Sequence, residues 1–486
     1  MTADRAFHRA TTTFGHGTVR AYDRALPTRE PGAFPCPFPA NAAFRTTTME
    51  GTLMRYRQGP RRRRAGRRHL LKALSLAWAL GLVITPIAQA ADEIHWNLRD
   101  QTSVTISWRG SETAVRYGTT TSYGQTATAR TPIPLPFSSA GPFREAPLTG
   151  LTENTLYHYS IGTGPDHTFR TPPPPGSSDF TVYSSGDIGD TGSYSTVGPM
   201  QALVAADPPR FCLLVGDLTY ANAHGQATCD QHFNDVMVWS QDVAYMPAWG
   251  NHEWDIPSAD DMRNYKGRFD LPNPRSSPSA PSPPGPGDDW YWFDYGNVRF
   301  IAFPEPYTSA AWTDWVTRAD SVMDAAQADP TITFIVTFGH RPAYSSGHHP
   351  GASTLAGYMG TLGAQHSKYK LNINGHSHNY ERTHPQSGVT HITAGGGGSG
   401  LQTDGSCGWL GGCPAPAYTA FRAMRHGWLK LRFTATSIEG TAICGPSASN
   451  QDLSCTLGSA FDTFVISAPG GDLTPPSRST NLRTRP

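Results

Sequence analysis

Phe211-Cys212-Leu213-Leu214-Val215-Gly216-Asp217-Leu218-Thr219-Tyr220 is a run of five apolar residues that stops at a glycine and an acid. A short unbroken apolar run bounded by a turn signal is the pattern of a strand buried on both faces. The same grammar recurs at Phe180 to Ser184, which ends at Gly186-Asp187, and at Thr333 to Phe338, which ends at Gly339-His340. Helices are predicted at Val197–Ala206, Gln231–Val243, Ala311–Ala328 and Thr354–Lys368, each with apolar residues at helical spacing. Strand, polar motif, helix is the order of an α/β domain, and such domains keep their chemistry where strands stop. Trp290 to Phe293 and Val298 to Phe303 flank Asp294-Tyr295-Gly296-Asn297 as a hairpin, and Gly427–Thr434, Ser437–Ile443 and Thr463–Ile466 add late strands. The expected body is two packed β-sheets flanked by helices over residues 179–468.

Upstream the pattern changes. Val104 to Trp108, Ala114 to Tyr117, Leu156 to Ile161 and His167 to Arg170 are short alternating runs broken by turn residues. They predict an all-β sandwich over residues 92–171. Pro172-Pro173-Pro174-Pro175-Gly176 makes 172–178 a stiff linker. The Pro/Ser/Gly stretch from Pro278 to Gly287 and the polar tail 469–486 lack periodicity and are expected to stay irregular.

Of the 39 Lys and Arg, 15 lie in residues 1–90 with only 4 of the 38 Asp and Glu, which leaves 24 basic against 34 acidic groups beyond them. So acidic a body argues against nucleic-acid or anionic-membrane binding through clustered cations, so any phosphate must be attracted locally. Arg61 to Lys72, apolar Ala73 to Ile87 and Ala88-Gln89-Ala90 form the basic, apolar and cleavage regions of a secretory signal over 54–90. Arg67-Arg68-His69-Leu70-Leu71-Lys72 also resembles a twin-arginine signal, so the chain is expected to be exported, periplasmic or secreted. The apolar run is short for a membrane anchor and is broken by Pro86. Residues 1–53 read either as an over-extended reading frame before Met54 or as a disordered extension. Six cysteines remain beyond the leader, and Cys407/Cys413 and Cys444/Cys455 are the expected bridges, with Cys212 equally suited to be a buried thiol.

Five segments concentrate the ligand-type side chains: Gly186-Asp187-Ile188-Gly189, Gly216 to Tyr220, Gly250-Asn251-His252-Glu253, Gly339-His340-Arg341-Pro342, and Gly375-His376-Ser377-His378-Asn379-Tyr380-Glu381-Arg382. Singly, a Gly-Asp is usually a turn and a His-x-His alternation a polar face. Together, at strand ends in one domain, they supply seven oxygen and imidazole ligands, enough for two metal ions with a shared carboxylate. Histidine and carboxylate suit iron and zinc, and a phenolate such as Tyr220 favours a hard trivalent ion. Trp249 and Trp254 are expected to pack around the third motif, Glu253 to be a supporting or turn residue rather than a ligand, and Asn222 to be a turn residue or an outer partner.

These segments resemble the metal-binding motifs of the purple acid phosphatase family, over roughly residues 94–468. The resemblance implies a fibronectin-III-like sandwich joined to a metallophosphoesterase domain. By motif, it implies that Asp187, Tyr220 and His378 bind Fe(III), that Asp217 bridges, and that Asn251, His340 and His376 hold a divalent iron, zinc or manganese. It implies that His252 contacts the phosphoryl group and that the pair His348 and His349 supplies a substrate-binding histidine and a general acid, with either order open. The implied reaction is hydrolysis of a small phosphate monoester at acidic pH by a metal-bound hydroxide. A phosphodiesterase or nucleotide-cleaving enzyme shares the same motifs, and a catalytically silent exported binding protein is the reading from another class. The sandwich is expected to be a spacer or part of the pocket rim.

Overall fold

In the computed structural model, which describes residues 91–254, 262–278, 289–403, 409 and 412–470, the Phe211–Val215 run is a strand with every side chain buried. The predicted extension 1–53, the signal 54–90, nearly all of the Pro278–Gly287 loop and the tail from 471 lie outside the described residues.

Seven strands come first: β1 (Asp92–Asp100), β2 (Ser103–Arg109), β3 (Ala114–Gly118), β4 (Gln125–Thr128), β5 (Phe143–Leu148), β6 (Leu156–Ile161) and β7 (His167–Arg170). They pair antiparallel in two sheets, ordered β1-β2-β5 and β4-β3-β6-β7. Trp96 and Tyr157 close on Phe169 between them, with ring centroids 5.8 and 5.1 Å apart. Alternation predicts one wet face, yet β2 is buried along nearly its whole length. The reason is tertiary, since the β1 side of this sheet lies against the second half of the chain. There Ser240 Oγ donates to the Ile94 carbonyl at 2.8 Å, and the His95 ring sits 5.0 Å from Phe233.

Buried charge joins the two halves. Arg268, 2% exposed, reaches Glu93 and Asp230 at 2.8 Å each, and Arg109 bonds Asp92 at 2.6 Å and Asp230 at 2.5 Å. Desolvating such groups is costly unless each is paired, so the network specifies one seating of the sandwich. It is therefore no loose spacer, and among the described residues none of 91–171 lines the cleft described below.

The second half begins with β8 (Phe180–Ser185), α1 (Val197–Ala206), β9 (Phe211–Val215), α2 (Ala221–His224), α3 (Ala227–Ser240), β10 (Ala244–Ala248), α4 (Asn251–Trp254) and α5 (Arg263–Lys266). It continues through β11 (Trp292–Tyr295), β12 (Val298–Ala302), α6 (Ser309–Ala328), β13 (Phe334–Phe338), α7 (Ser353–Gln365), β14 (Tyr369–Asn374), β15 (Tyr380–Thr383) and β16 (Thr390–Ala394). The last strands are β17 (Thr419–Ala423), β18 (Gly427–Phe433), β19 (Ser437–Cys444) and β20 (Ala460–Ser467). A six-stranded sheet, β10-β9-β8-β18-β19-β20, faces a seven-stranded one, β11-β12-β13-β14-β16-β15-β17. Phe211 and Phe433 from the first sheet meet Phe300 of the second, with centroids 5.3 and 5.5 Å apart. Helices flank the sheets: Trp428 Nε1 of β18 donates to the Met200 carbonyl of α1, and Trp315 Nε1 of α6 donates to the Ala302 carbonyl of β12.

The parallel order β10-β9-β8 and β12-β13-β14-β16 aligns the carboxyl ends of β8, β9, β13 and β14 at the mouth of the two sheets. Cys444 and Cys455 form a disulfide, Cys413 is also disulfide-bonded while Cys407 lies outside the described residues, and Cys212 is a buried thiol. No helix among the described residues is long and apolar enough to cross a membrane.

Candidate metal centre

Each ligand-type residue sits on the turn that leaves a strand. Asp187 follows β8, Asp217 and Tyr220 follow β9, Asn251 opens α4 after β10, His340 follows β13, and His376 and His378 follow β14. Positive φ falls on the ligand-type residues: Asp187 at 59°, Asp217 at 50°, Tyr220 at 55° and His376 at 69°. Such backbone costs of order 1–3 kcal/mol per residue and persists only where packing over-determines it. The neighbouring glycines mostly supply room instead. A Cβ on Gly250 would stand 2.2 Å from Asp217 Oδ1, and one on Gly375 would stand 2.5 Å from Asp187 Oδ2.

All seven predicted ligands converge, in two groups. Around His340 Nε2 lie Asn251 Oδ1, Asp217 Oδ2 and His376 Nδ1, each at 3.1 Å. Around the Tyr220 hydroxyl lie His378 Nε2 at 3.0 Å, Ser399 Oγ at 3.1 Å and Asp187 Oδ1 at 3.4 Å. One hydrogen cannot satisfy three partners at once, and donors aimed at a single point are what a cation coordinates. Asp217, His340 and His376 form a group able to hold a metal, their donor atoms all within 4.8 Å of one another. The donor set of both groups fits a cation on its chemistry.

Outer contacts fix the donors. His340 Nδ1 donates to the Val215 carbonyl at 2.9 Å and His378 Nδ1 to the Gly400 carbonyl at 2.7 Å, which turns each Nε2 inward. His376 Nε2 lies 3.1 Å from Arg341 Nη1, whose Nε is held by Glu305 at 2.8 Å. His252 Nδ1 is 2.6 Å from Asn222 Oδ1, so of the two readings of Asn222 the structure shows the outer partner. Glu253 is no ligand: it accepts the backbone N–H groups of Asp217 and Leu218 at 2.8 Å and of Gly250 at 2.6 Å, tying the second motif to the third. Trp249 packs on Tyr265 and Phe269, and Trp254 on Tyr307.

Electrostatics express the crowding. Burial alone would push the His340 imidazole down, but the Asp217 carboxylate, with Asp187 and Glu305 behind it, takes it up to about 10. Burial pushes Asp217 up, yet His340 and His252 hold it well below the usual carboxylate range. Burial and the charge of His340 depress His376 far below an ordinary imidazole. Burial, Asp187 and Asp217 raise the Tyr220 phenol, so only a cation can hold it as tyrosinate. In the metal-free chain His340 is therefore protonated at pH 7, and metal uptake should expel its proton, with a second from Tyr220 where that phenol binds as tyrosinate. Calorimetric titration with zinc in buffers of different ionisation enthalpy reads that number. Uptake without proton release would contradict the assignment of His340.

A cleft of about 400 Å3 opens over both groups, lined by Tyr194, Asp217, Tyr220, Asn251, His252, His349, His376, His378, Gly400 and Gln402. The His349 ring stacks on His376 at 4.1 Å, and His348 stands edge-on to it at 4.4 Å. Burial, and then the charge of His348, take the His349 imidazole down to about 4.

No sequence model of a protein family matches the chain. Purple acid phosphatase 22 of Arabidopsis thaliana is 27% identical over 281 residues, covering 54% of this chain and 60% of that protein. A nucleotide pyrophosphatase/phosphodiesterase of Hordeum vulgare is 25% identical over 357 residues, covering 65% and 90%. The purple acid phosphatase PPD1 of yellow lupin superposes with a TM-score of 0.59 at 20% identity, over 78% of this chain and 74% of that one. The chain is similar in sequence to purple acid phosphatases and shares the fold of one of them. It spans roughly 40–60% of the length of the first curated relatives it matches, and the purple acid phosphatases 1 and 27 of A. thaliana, also similar, are described as probably inactive.

Ser399 and Gly400 lie outside the five motifs although between them they touch both His378 and Tyr220. Their signal is the run Gly395 to Gly398, which no strand would use. A Cβ on Gly395 would stand 2.2 Å from the Ser377 carbonyl, and one on Gly397 2.2 Å from that of Gly186. The run brings Ser399 close enough to donate to the Asp187 carbonyl at 2.9 Å.

Proposed function

We propose that this chain is an exported acid phosphatase that hydrolyses small phosphate monoesters at a centre of Fe(III) and a divalent iron, zinc or manganese. The observation that carries the reading is the division of the seven side chains into two groups. Asp187, Tyr220 and His378 would hold the trivalent ion, Asn251, His340 and His376 the divalent one, and Asp217 would bridge. Bound there, the two ions would neutralise the ester's charge and acidify a water for in-line attack. His252, steadied by Asn222, would contact the phosphoryl group, and His348 or His349 would give a proton to the departing alkoxide oxygen.

The disulfide Cys444–Cys455 supports an oxidising compartment and hence export after a signal ending near Ala90. The three- and four-stranded sheets of residues 92–171 support a fibronectin-III-like domain, followed by a linker at 172–178 and a catalytic domain over 179–468. Phosphodiesterase activity is the second reading, favoured by the Hordeum vulgare relative, which the match covers over 90% of its length.

Metal analysis and the visible spectrum of the purified chain test the centre. Tyr220→Phe should abolish a tyrosinate-to-iron band while the chain stays folded. A colourless wild-type protein with two zinc ions would refute the mixed-metal assignment. Rates on an aryl phosphate monoester and on the diester with the same leaving group separate the two activities, and no turnover of either would leave a silent binding protein.

A further inference from the structure

Ser346 spends every polar group it has. Its amide donates to Glu381 Oε2 at 2.7 Å and its hydroxyl to Glu381 Oε1 at 2.9 Å. Its carbonyl accepts from Trp409 Nε1 at 2.9 Å, and its Oγ accepts from Arg422 Nη1 at 3.2 Å. The partners come from three separate segments. Glu381 is on β15, near the end of the fifth motif; Arg422 is on β17; Trp409 is in the connection between β16 and β17.

Each partner is itself held. Glu381, 1% exposed, also accepts from Thr419 Oγ1 at 2.6 Å. Trp409 is buried with Leu401 and Met424 and lies under the Arg422 guanidinium, 4.8 Å from the ring centroid. Arg422 Nη2 donates at 2.6 Å to the carbonyl of Cys413, which is disulfide-bonded.

Two and three residues further on stand His348 and His349. Gly347 between them and Ser346 is seated so tightly that a Cβ would lie 2.0 Å from Asn379 Nδ2 and 2.3 Å from Ser377 Oγ. At its far end the segment meets the metal motif, through the His349 ring on His376. The histidine pair is thus strung between the fifth motif and an anchor at Ser346. The pairing of β15 with β16 and β17 runs through backbone groups, so apart from its bond to Thr419 the Glu381 carboxylate is turned to the loop.

We propose that Glu381 and Trp409 are positioning residues that, through Ser346, set where His349 lines the cleft and where His348 stands beside it. This rests on reading those histidines as the groups that meet the phosphate ester. Placement matters because a shift of about 1 Å in a reacting group can cost about a hundredfold in rate.

The test uses the full metal-loaded chain with Glu381→Gln, Trp409→Phe and the milder Ser346→Ala. It measures kcat and KM on an aryl phosphate monoester, metal content, and affinity for inorganic phosphate. With metal content unchanged, kcat should fall about tenfold or more, approaching the hundredfold cost of misplacement. The loss should vanish in a His348→Ala/His349→Ala background, because coupled residues are non-additive. Wild-type kcat in all three variants, an equal loss without the histidines, or a loss explained by missing metal would overturn the proposal. A wild-type chain with no turnover would instead sink the phosphatase reading. Phosphate affinity then decides the positioning role, supported if it weakens only while both histidines are present and overturned if it does not.

Discussion

Asp217→Asn should lower monoester turnover by about a thousandfold or more while the chain stays folded. Asp217 Oδ2 is 3.1 Å from His340 Nε2, and Oδ1 accepts the His252 N–H at 2.9 Å, so the carboxylate faces both halves of the third and fourth motifs. An amide keeps the shape and loses the anion that a bridge between cations needs. Lewis-acid stabilisation is worth several kcal/mol, and about 4 kcal/mol is a factor of roughly a thousand. Rates and metals per chain check it, and wild-type turnover with two ions bound would refute the centre.

The same substitution alters the metal-free chain with a defined pH dependence. Asp217 is depressed below its ordinary 3.8, so its contribution is present above that value and lost as pH falls through the folded pKa. His340 is raised from 6.5 to about 10, so its contribution is complete below 6.5 and fades as pH rises through about 10. Asp217→Asn should therefore destabilise the metal-free chain most between about pH 4 and 6.5.

Arg268→Met should cost about 3–5 kcal/mol of stability, the usual consequence of removing one partner from buried charges. Glu93 and Asp230 would lose the guanidinium that lies 2.8 Å from each, although Arg109 still reaches both. Burial pushes the Glu93 carboxyl up to about 7, against the pull of Arg268 and with the push of Asp230. A carboxyl raised in the folded state contributes fully below 4.5, and that contribution is lost as pH rises through about 7. The loss in Arg268→Met should thus be smaller at pH 5 than at pH 8, and Glu93→Gln added to it should recover part. Denaturation midpoints at both values check this, and equal losses at both would remove Glu93 from the account.

Local pattern carried much of the architecture. The Phe211–Val215 strand, the Leu156–Ile161 strand and the Val197–Ala206 helix have the boundaries that periodicity predicts. Some strands the pattern does not announce have physical reasons to escape it. β10 holds Pro247, which argues against a strand, but β10 is the edge of its sheet, where a missing N–H costs no ladder bond. β14 alternates Lys370, Asn372 and Asn374 with apolar residues as though one face were wet. Yet Asn372 and Asn374 are buried and bond each other at 2.6 Å.

Residue type and spacing in the sequence determined the strand ends, the seven ligand-type side chains and the family resemblance, because these depend on neighbours a few positions apart. Tertiary structure alone decided how those seven divide, which backbone nitrogens Glu253 gathers, and where Ser346 is anchored. His376 donates its N–H to Asp187 across 189 positions at 2.8 Å, a contact made by the order of strands in two facing sheets. The seating of the sandwich is of the same kind: Arg268 meets Glu93 across 175 positions, and only burial makes that pairing obligatory.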